Sequence, residues 1–157
     1  MEDKLVFLIG SQLFAVGVTE VERVYRAMQI TLLPDGPKRL LGLVNLGGTI
    51  LPVVNMRSRL AIPDKPIELD DRLVRLGGTM AFCFFVDRVV GVSRFAAEAA
   101  LDPKKIYPRL EQYLSGVGKY AGEIVLFMKM AALFPGITEE TRSLLDERGI
   151  DSRAHDE

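Results

Sequence analysis

The chain has one histidine, one cysteine and no tryptophan in 157 residues. His155 sits in the charged tail Asp151 to Glu157. A catalytic base needs a positioned, partly enclosed site, which such a tail does not offer. One histidine and one cysteine cannot supply the four N/S ligands of a structural zinc site, and Cys83 cannot close an internal disulfide. Its apolar neighbours, Ala81-Phe82-Cys83-Phe84-Phe85-Val86, predict a buried thiol. Neither sign of charge is in excess: 20 basic and 21 acidic side chains leave −1. That balance gives no general pull toward nucleic acid or anionic lipid. The bases Lys38-Arg39, Arg57, Arg59, Lys104-Lys105 and Arg109 are scattered and not interleaved with aromatics, which argues against single-strand binding. No apolar run approaches the ~20 residues that span a bilayer, and Met1-Glu2-Asp3-Lys4 does not open a signal peptide. The expectation is a soluble, cytoplasmic protein without catalytic, metal or cofactor residues.

The carboxylates do not change this. Glu20 and Glu22 stand two apart on a predicted strand, Asp70-Asp71 in a loop, and Glu139-Glu140 at a helix start. None is paired with a second group of opposed environment, as acid–base chemistry requires. Asp87 starts a predicted turn, a place Asp takes for hydrogen bonding. No Gly-x-x-x-x-Gly-Lys-Ser/Thr loop cradles a phosphate.

What the chain does have is apolar residues, 48% of it, and 14 glycines that punctuate short apolar runs. A chain of this length can bury about 70% of its unfolded surface. Leu5 to Ile9 reads as a strand buried on both faces. Leu13 to Val18 alternates large and small side chains with the period of a strand, and Val21 to Tyr25 continues the sheet. Leu40 to Leu46 and Thr49 to Val54 flank Gly47-Gly48, a hairpin signal, because tight hairpin turns need positive φ. The second half repeats the plan: Leu73 to Leu76 and Thr79 to Val86 flank Gly77-Gly78. Val86 and Val89 flank Asp87-Arg88, and Val117 to Tyr120 and Glu123 to Phe127 flank Ala121-Gly122. Many short strands with glycine turns predict small barrels or a sandwich. Helices are few: a turn over Met56 to Leu60, about two turns over Met128 to Phe134, and a tail helix from Thr138 as N-cap to Arg148. Asp151 to Glu157 is expected to be disordered.

Slid against itself by 74 positions, the chain matches itself without gaps. Phe14 to Thr19 falls on Arg88 to Ser93, Gly42-Leu43 on Gly116-Val117, Gly48 to Leu51 on Gly122 to Val125, and Met56 on Met130. Several glycines and strand patterns in one register predict duplication of a β unit.

One segment carries a specific signature. Leu41-Gly42-Leu43-Val44-Asn45-Leu46-Gly47-Gly48-Thr49-Ile50-Leu51-Pro52-Val53-Val54-Asn55-Met56-Arg57 resembles the Gly-x-x-Asn-Leu-Arg-Gly, apolar strand, Asp-Leu-Arg run of the CheW-like adaptor family. Val21 to Val24, Phe85 to Val89 and Tyr113 to Val117 resemble further family elements in the family's order. Together they cover roughly residues 4 to 134. The resemblance implies a mainly β fold of two five-stranded, SH3-like barrels about a pseudo-twofold. With short helices and a tail helix, the domains are then 1–135, CheW-like, and 136–157, helix and tail. It implies coupling of a methyl-accepting chemoreceptor's cytoplasmic tip to the regulatory domain of a CheA-type histidine kinase, with no reaction and no cofactor.

The partner-binding residues implied are Val21, Arg23, Val24, Asn45, Gly47, Gly48 and Arg57, with exposed apolar residues in the cleft between barrels. Three positions depart from the family. Gly47 stands for its arginine, Arg23 for its glutamate and Asn55 for its aspartate. A glycine cannot replace the five-donor plane of arginine, so partner choice is expected to be rewritten. The competing classes are a small-ligand sensor, with a pocket between barrels, or a scaffold domain of another two-component pathway. An enzyme lacks its acid–base and metal groups.

Overall fold

The computed structural model describes residues 2–95 and 110–150. Lys104-Lys105, Arg109, His155 and the tail from Asp151 lie outside them. In chain order the strands are β1 (Glu2–Ile9), β2 (Gln12–Gly17), β3 (Val21–Arg26), β4 (Thr31–Leu32), β5 (Leu40–Leu46) and β6 (Thr49–Val54). They continue as β7 (Arg72–Leu76), β8 (Cys83–Val86), β9 (Arg88–Phe95), β10 (Leu114–Tyr120) and β11 (Glu123–Met128). Among the described residues three α-helices join them: α1 (Met56–Arg59), α2 (Met130–Leu133) and α3 (Ile137–Glu147).

The strands form two sheets, β10-β11-β2-β1-β9 and β3-β7-β8-β6-β5-β4. The fold is therefore mainly β in two sheets with short helices, as expected. The strand count differs: five and six rather than five and five, because the two-residue β4 adds an edge strand beside β5. With β4 set aside, the sheets share one plan. Each has a single parallel junction, β11 with β2 in one and β6 with β8 in the other. Neither sheet is one half of the sequence. The N-terminal hairpin β1-β2 completes the sheet of β9, β10 and β11, while β7 and β8 complete the sheet of β3 to β6. The two halves have exchanged their first strands.

This exchange is visible in the registers. Leu40 pairs with Val54, Gly42 with Val53 and Leu46 with Thr49, and 74 positions on Leu114 pairs with Met128, Gly116 with Phe127 and Tyr120 with Glu123. The bulge after Leu40 recurs after Leu114. Both turns use positive φ: 61° and 89° at Gly47-Gly48, 51° and 81° at Ala121-Gly122. α1 and α2 begin at Met56 and Met130. The spacing does not hold at the parallel junctions. Ala15 pairs with Phe127 where Cys83 pairs with Val53. Thus 127 and 53 differ by 74, but 83 and 15 differ by 68. The match of Phe14–Thr19 to Arg88–Ser93 is a composition match between strands that are not equivalent: β2 takes the place of β8, and β9 that of β3.

Burial on both faces explains the apolar runs. On β1, Leu5, Phe7 and Ile9 join the large core between the sheets, while Val6 joins a separate cluster with Leu13, Ala15, Phe95, Val125 and Phe127. Every member of that cluster belongs to the five-stranded sheet. Phe95 on β9 and Phe127 on β11 lie three strands apart, about 14 Å in a flat sheet at the usual spacing. Their rings are 4.9 Å apart, centroid to centroid, so the sheet curls over its own inner face. The six-stranded sheet has a matching inner cluster of Val44, Leu46, Leu51, Val53, Leu73 and Cys83. Between the sheets, Phe7 meets Phe14 at 6.1 Å and Phe84 at 5.5 Å, and Phe82 meets Phe134 at 5.5 Å.

Several local readings are corrected. Gly77-Gly78 is not a two-residue hairpin: β7 and β8 pair as Arg75 with Cys83, with a longer connection between them. Asp87-Arg88 is not a hairpin either, because β8 and β9 belong to different sheets and Asp87 is the corner where the chain crosses over. Glu20 is not on a strand. It ends the 3-10 turn Val18–Glu20, where its carboxylate accepts from the Gly17 N–H at 3.0 Å. α2 starts at Met130, since Met128 is still paired in β11. α3 starts at Ile137 with Gly136, not Thr138, as N-cap, and Thr141 instead bonds the Ile137 carbonyl at 2.7 Å. Gly149, at φ 69°, closes its C-terminus as expected.

α3 docks: Ile137, Thr141 and Leu145 recur at four-residue spacing and are buried on the central core. Leu145→Ala is therefore expected to cost about 2–5 kcal/mol in urea unfolding; a free helix would give almost no change. Cys83 is buried as the sequence predicts, and burial pushes its thiol up to about 12, against a smaller opposing pull from Arg75. The native protein is expected to resist a thiol reagent at pH 8 and to react fully in denaturant. Because the unfolded thiol ionises near 9.0, this group lowers stability as pH rises from there toward 12.

Candidate functional site

The signature segment Leu41–Arg57 folds as β5, a glycine turn, β6 and the start of α1. At the turn the Asn45 Oδ1 accepts from the Gly48 N–H at 2.9 Å. This bond pins the tip, so Asn45 is a turn-forming residue with its side chain exposed. A Cβ on Gly47 would meet nothing within 4 Å, so the turn projects into open space. Asn55 caps α1: its Oδ1 accepts from the Ser58 N–H at 3.2 Å. The neutral amide oxygen does the capping work of a carboxylate here, without its charge.

Arg57 is committed inside the molecule. Its Nη2 donates to both Asp87 oxygens, at 2.7 and 2.8 Å, and its Nη1 to the Pro63 carbonyl at 2.7 Å. Asp87 Oδ2 also accepts from the Gly10 N–H at 3.0 Å, and the Asp87 N–H donates to the Leu8 carbonyl at 2.8 Å. One carboxylate thus ties α1, the β1-β2 turn and the crossover between sheets. The sequence marked both residues but not their pairing, because 30 positions separate them. Arg57 holds the signature segment in place.

Val21, Arg23 and Val24 lie on β3, which among the described residues is an edge strand paired only with β7 and bulged after Val21. Val21 and Val24 are half-buried against the central core. Arg23 is exposed, its guanidinium 5.3 Å from the Tyr25 ring centroid. The expected contact residues lie on strands that are not neighbours in the sheet, although Tyr25 of β3 shares the inner cluster with Val44 and Leu46 of β5. β3 is one edge of the six-stranded sheet, while the β5-β6 hairpin lies toward the other, with β7 and β8 between. The exposed apolar groove also differs from the cleft expected between barrels. About 490 Å³ in volume, it is lined by residues 27–30, 32 and 67–69, among them Met28, Ile30, Leu32, Ile67 and Leu69, beside β4. Asp71, which the sequence places only in a loop, is buried and shapes this rim: it accepts from Lys65 Nζ at 2.7 Å and the Glu68 N–H at 2.8 Å. Among the described residues no three His, Cys, Asp or Glu side chains are grouped to hold a metal, and no helix is long and apolar enough to cross a membrane.

Two curled sheets that exchange strands and an internal arginine–aspartate tie define a two-sheet β scaffold. Residues 3–137 match the CheW-like domain, and the chain belongs to that family. It is 29% identical to the chemotaxis protein CheW of Thermotoga maritima over 134 residues, covering 85% of this chain and 88% of that protein. It is 23% identical to the chemotaxis protein CheW of Klebsiella aerogenes over 154 residues, covering 92% and 87%. The crystal structure of the scaffolding protein TtCheW from Thermoanaerobacter tengcongensis superposes with a TM-score of 0.73 at 22% identity, covering 82% of this chain and 84% of that one, which shows the shared fold.

Asp87→Ala leaves the half-buried Arg57 guanidinium without its carboxylate and frees the Gly10 N–H. The expected loss is about 1–3 kcal/mol of unfolding free energy. A double-mutant cycle with Arg57→Ala is expected to show coupling above about 0.5 kcal/mol; additive losses would mean the pair does not hold the crossover.

Proposed function

We propose that this chain is a non-enzymatic adaptor in chemotaxis signalling. It couples the cytoplasmic tip of a methyl-accepting chemoreceptor to the regulatory domain of a CheA-type histidine kinase. The observation that carries this reading, beside family membership, is that two exposed features sit on different strands of one packed body. A coupler has to hold two partners at once. The β3 edge around Arg23 and the tip at Asn45, Gly47 and Gly48 are not neighbours in strand order, and both sheets share the central core that keeps them rigid. We assign the coupling role to residues 1–135, with Val21 and Val24 supporting the β3 surface and Arg57 positioning the signature segment. In the 136–157 segment, α3 adds packing beneath it.

Charge at these surfaces sets the partner. Arg23 and Gly47 reverse or remove the charge the family carries there, so a partner is expected to meet β3 with an acidic residue and the tip without one. Arg23→Glu and Gly47→Arg test this in binding assays with the cognate receptor tip and kinase regulatory domain. Each substitution is expected to change affinity for one partner at least fivefold and leave the other within twofold. The backbone at Gly47 is in the left-handed region, so the second variant needs a folding check, which Tm supplies. Loss of both partners by one variant, or of neither by both, would count against two separate surfaces.

A further inference from the structure

A second polar feature lies away from these surfaces. Lys38 and Arg39 before β5, Ser58 and Arg59 on α1, and Tyr113 before β10 line a cavity of about 240 Å³. Arg39 is neutralised within the fold: it donates Nε to Glu140 Oε2 at 2.7 Å, pairs with the same carboxylate through Nη2, and donates Nη1 to the Pro135 carbonyl at 2.7 Å. Arg59 is not neutralised. Its guanidinium lies 5.8 Å from the Tyr113 ring centroid and 5.4 Å from that of Phe134, and its Nη1 donates only a long bond, 3.4 Å, to the Tyr113 hydroxyl. Among the described residues neither Arg59 nor Lys38 has a carboxylate at ion-pair distance.

Two rings thus fix a half-buried guanidinium in one orientation with most of its N–H donors unspent. Lys38, a second cation with no carboxylate at ion-pair distance among the described residues, and the hydroxyl-bearing Ser58 and Tyr113 line the same cavity. Cations lining one cavity raise its local positive potential and so favour an anion there. The planar fork of arginine matches two oxygens of one group. We infer that this cavity is a binding site for a small oxyanion, a carboxylate or phosphoryl group, with Arg59 as the fork, Lys38 as the point charge, and Ser58 and Tyr113 as hydroxyl donors. The inference stands apart from the adaptor reading. The anion has two possible sources, free in solution or carried by a protein partner.

The test uses the full chain. Inorganic phosphate is titrated at constant ionic strength while the Ser58 and Arg59 amide and the Arg59 Nε–H resonances are followed by NMR, with chloride as the control. Saturable shifts at these groups, weakened at least tenfold by Arg59→Ala and by Lys38→Glu, are expected. Lys38 is exposed and makes no bond to another described residue, so Lys38→Glu keeps the result readable if Arg59→Ala unfolds. In parallel, binding of the receptor tip and kinase domain is measured for Lys38→Glu. Weakened partner binding identifies a partner's acidic group as the source; unchanged partner binding with lost phosphate shifts identifies a free ion. Shifts that do not saturate, or that neither variant alters, together with unchanged partner binding, overturn the site. The phosphate arm reads the cavity whether or not the chain binds a receptor or kinase.

Discussion

Everything in this molecule depends on a sheet having to bury both of its faces. A five-stranded sheet made of runs such as Leu5-Val6-Phe7 cannot leave one side in water, because roughly half of its large side chains point each way. Curling gives the inner face its own small core, as the Phe95–Phe127 contact shows. The outer face then needs a second sheet with the same problem. Phe7 against Phe84 is where the two solutions meet. At about 25 cal/mol per Å² of apolar surface removed from water, the shared core outweighs any single polar contact in the fold.

Strand exchange follows from the same constraint. A hairpin that packs only on its own half would leave the halves free to separate, whereas β1-β2 in the sheet of β9 to β11 makes them one body. The chain must then cross between sheets, and at Asp87 the crossing is held by polar groups. Leu8, Gly10 and Arg57 all converge there. A fold with rigid corners suits a protein whose output is a spatial arrangement. The family relationship accords with that role.

The candidate site was legible in part. Asn45 and Gly47-Gly48 could be read because the turn is local: an asparagine three residues before a bonded N–H and two positive φ angles are encoded by neighbours. The β3 residues could be placed on a strand, but not on an edge, since edge position depends on which strands lie beside it. Arg57 was marked as a partner contact, and Asp71 was placed only in a loop. Both are instead satisfied by groups whose placement arises from loop closure, Asp87 for one and Lys65 with the Glu68 N–H for the other.

By itself the sequence determined the mainly β class, the Gly47-Gly48 and Ala121-Gly122 hairpins, the buried Cys83 and the repeated hairpin-and-helix unit, because period-two patterning and positive-φ turns act over a few residues. The tertiary structure alone decided that the halves trade their first strands, that Gly77-Gly78 and Asp87-Arg88 are not hairpins, and that Arg39, Arg57 and Arg59 meet different fates. The reason is physical: a turn residue permits a reversal but does not choose the partner strand, and a guanidinium's role depends on whether folding brings it a carboxylate.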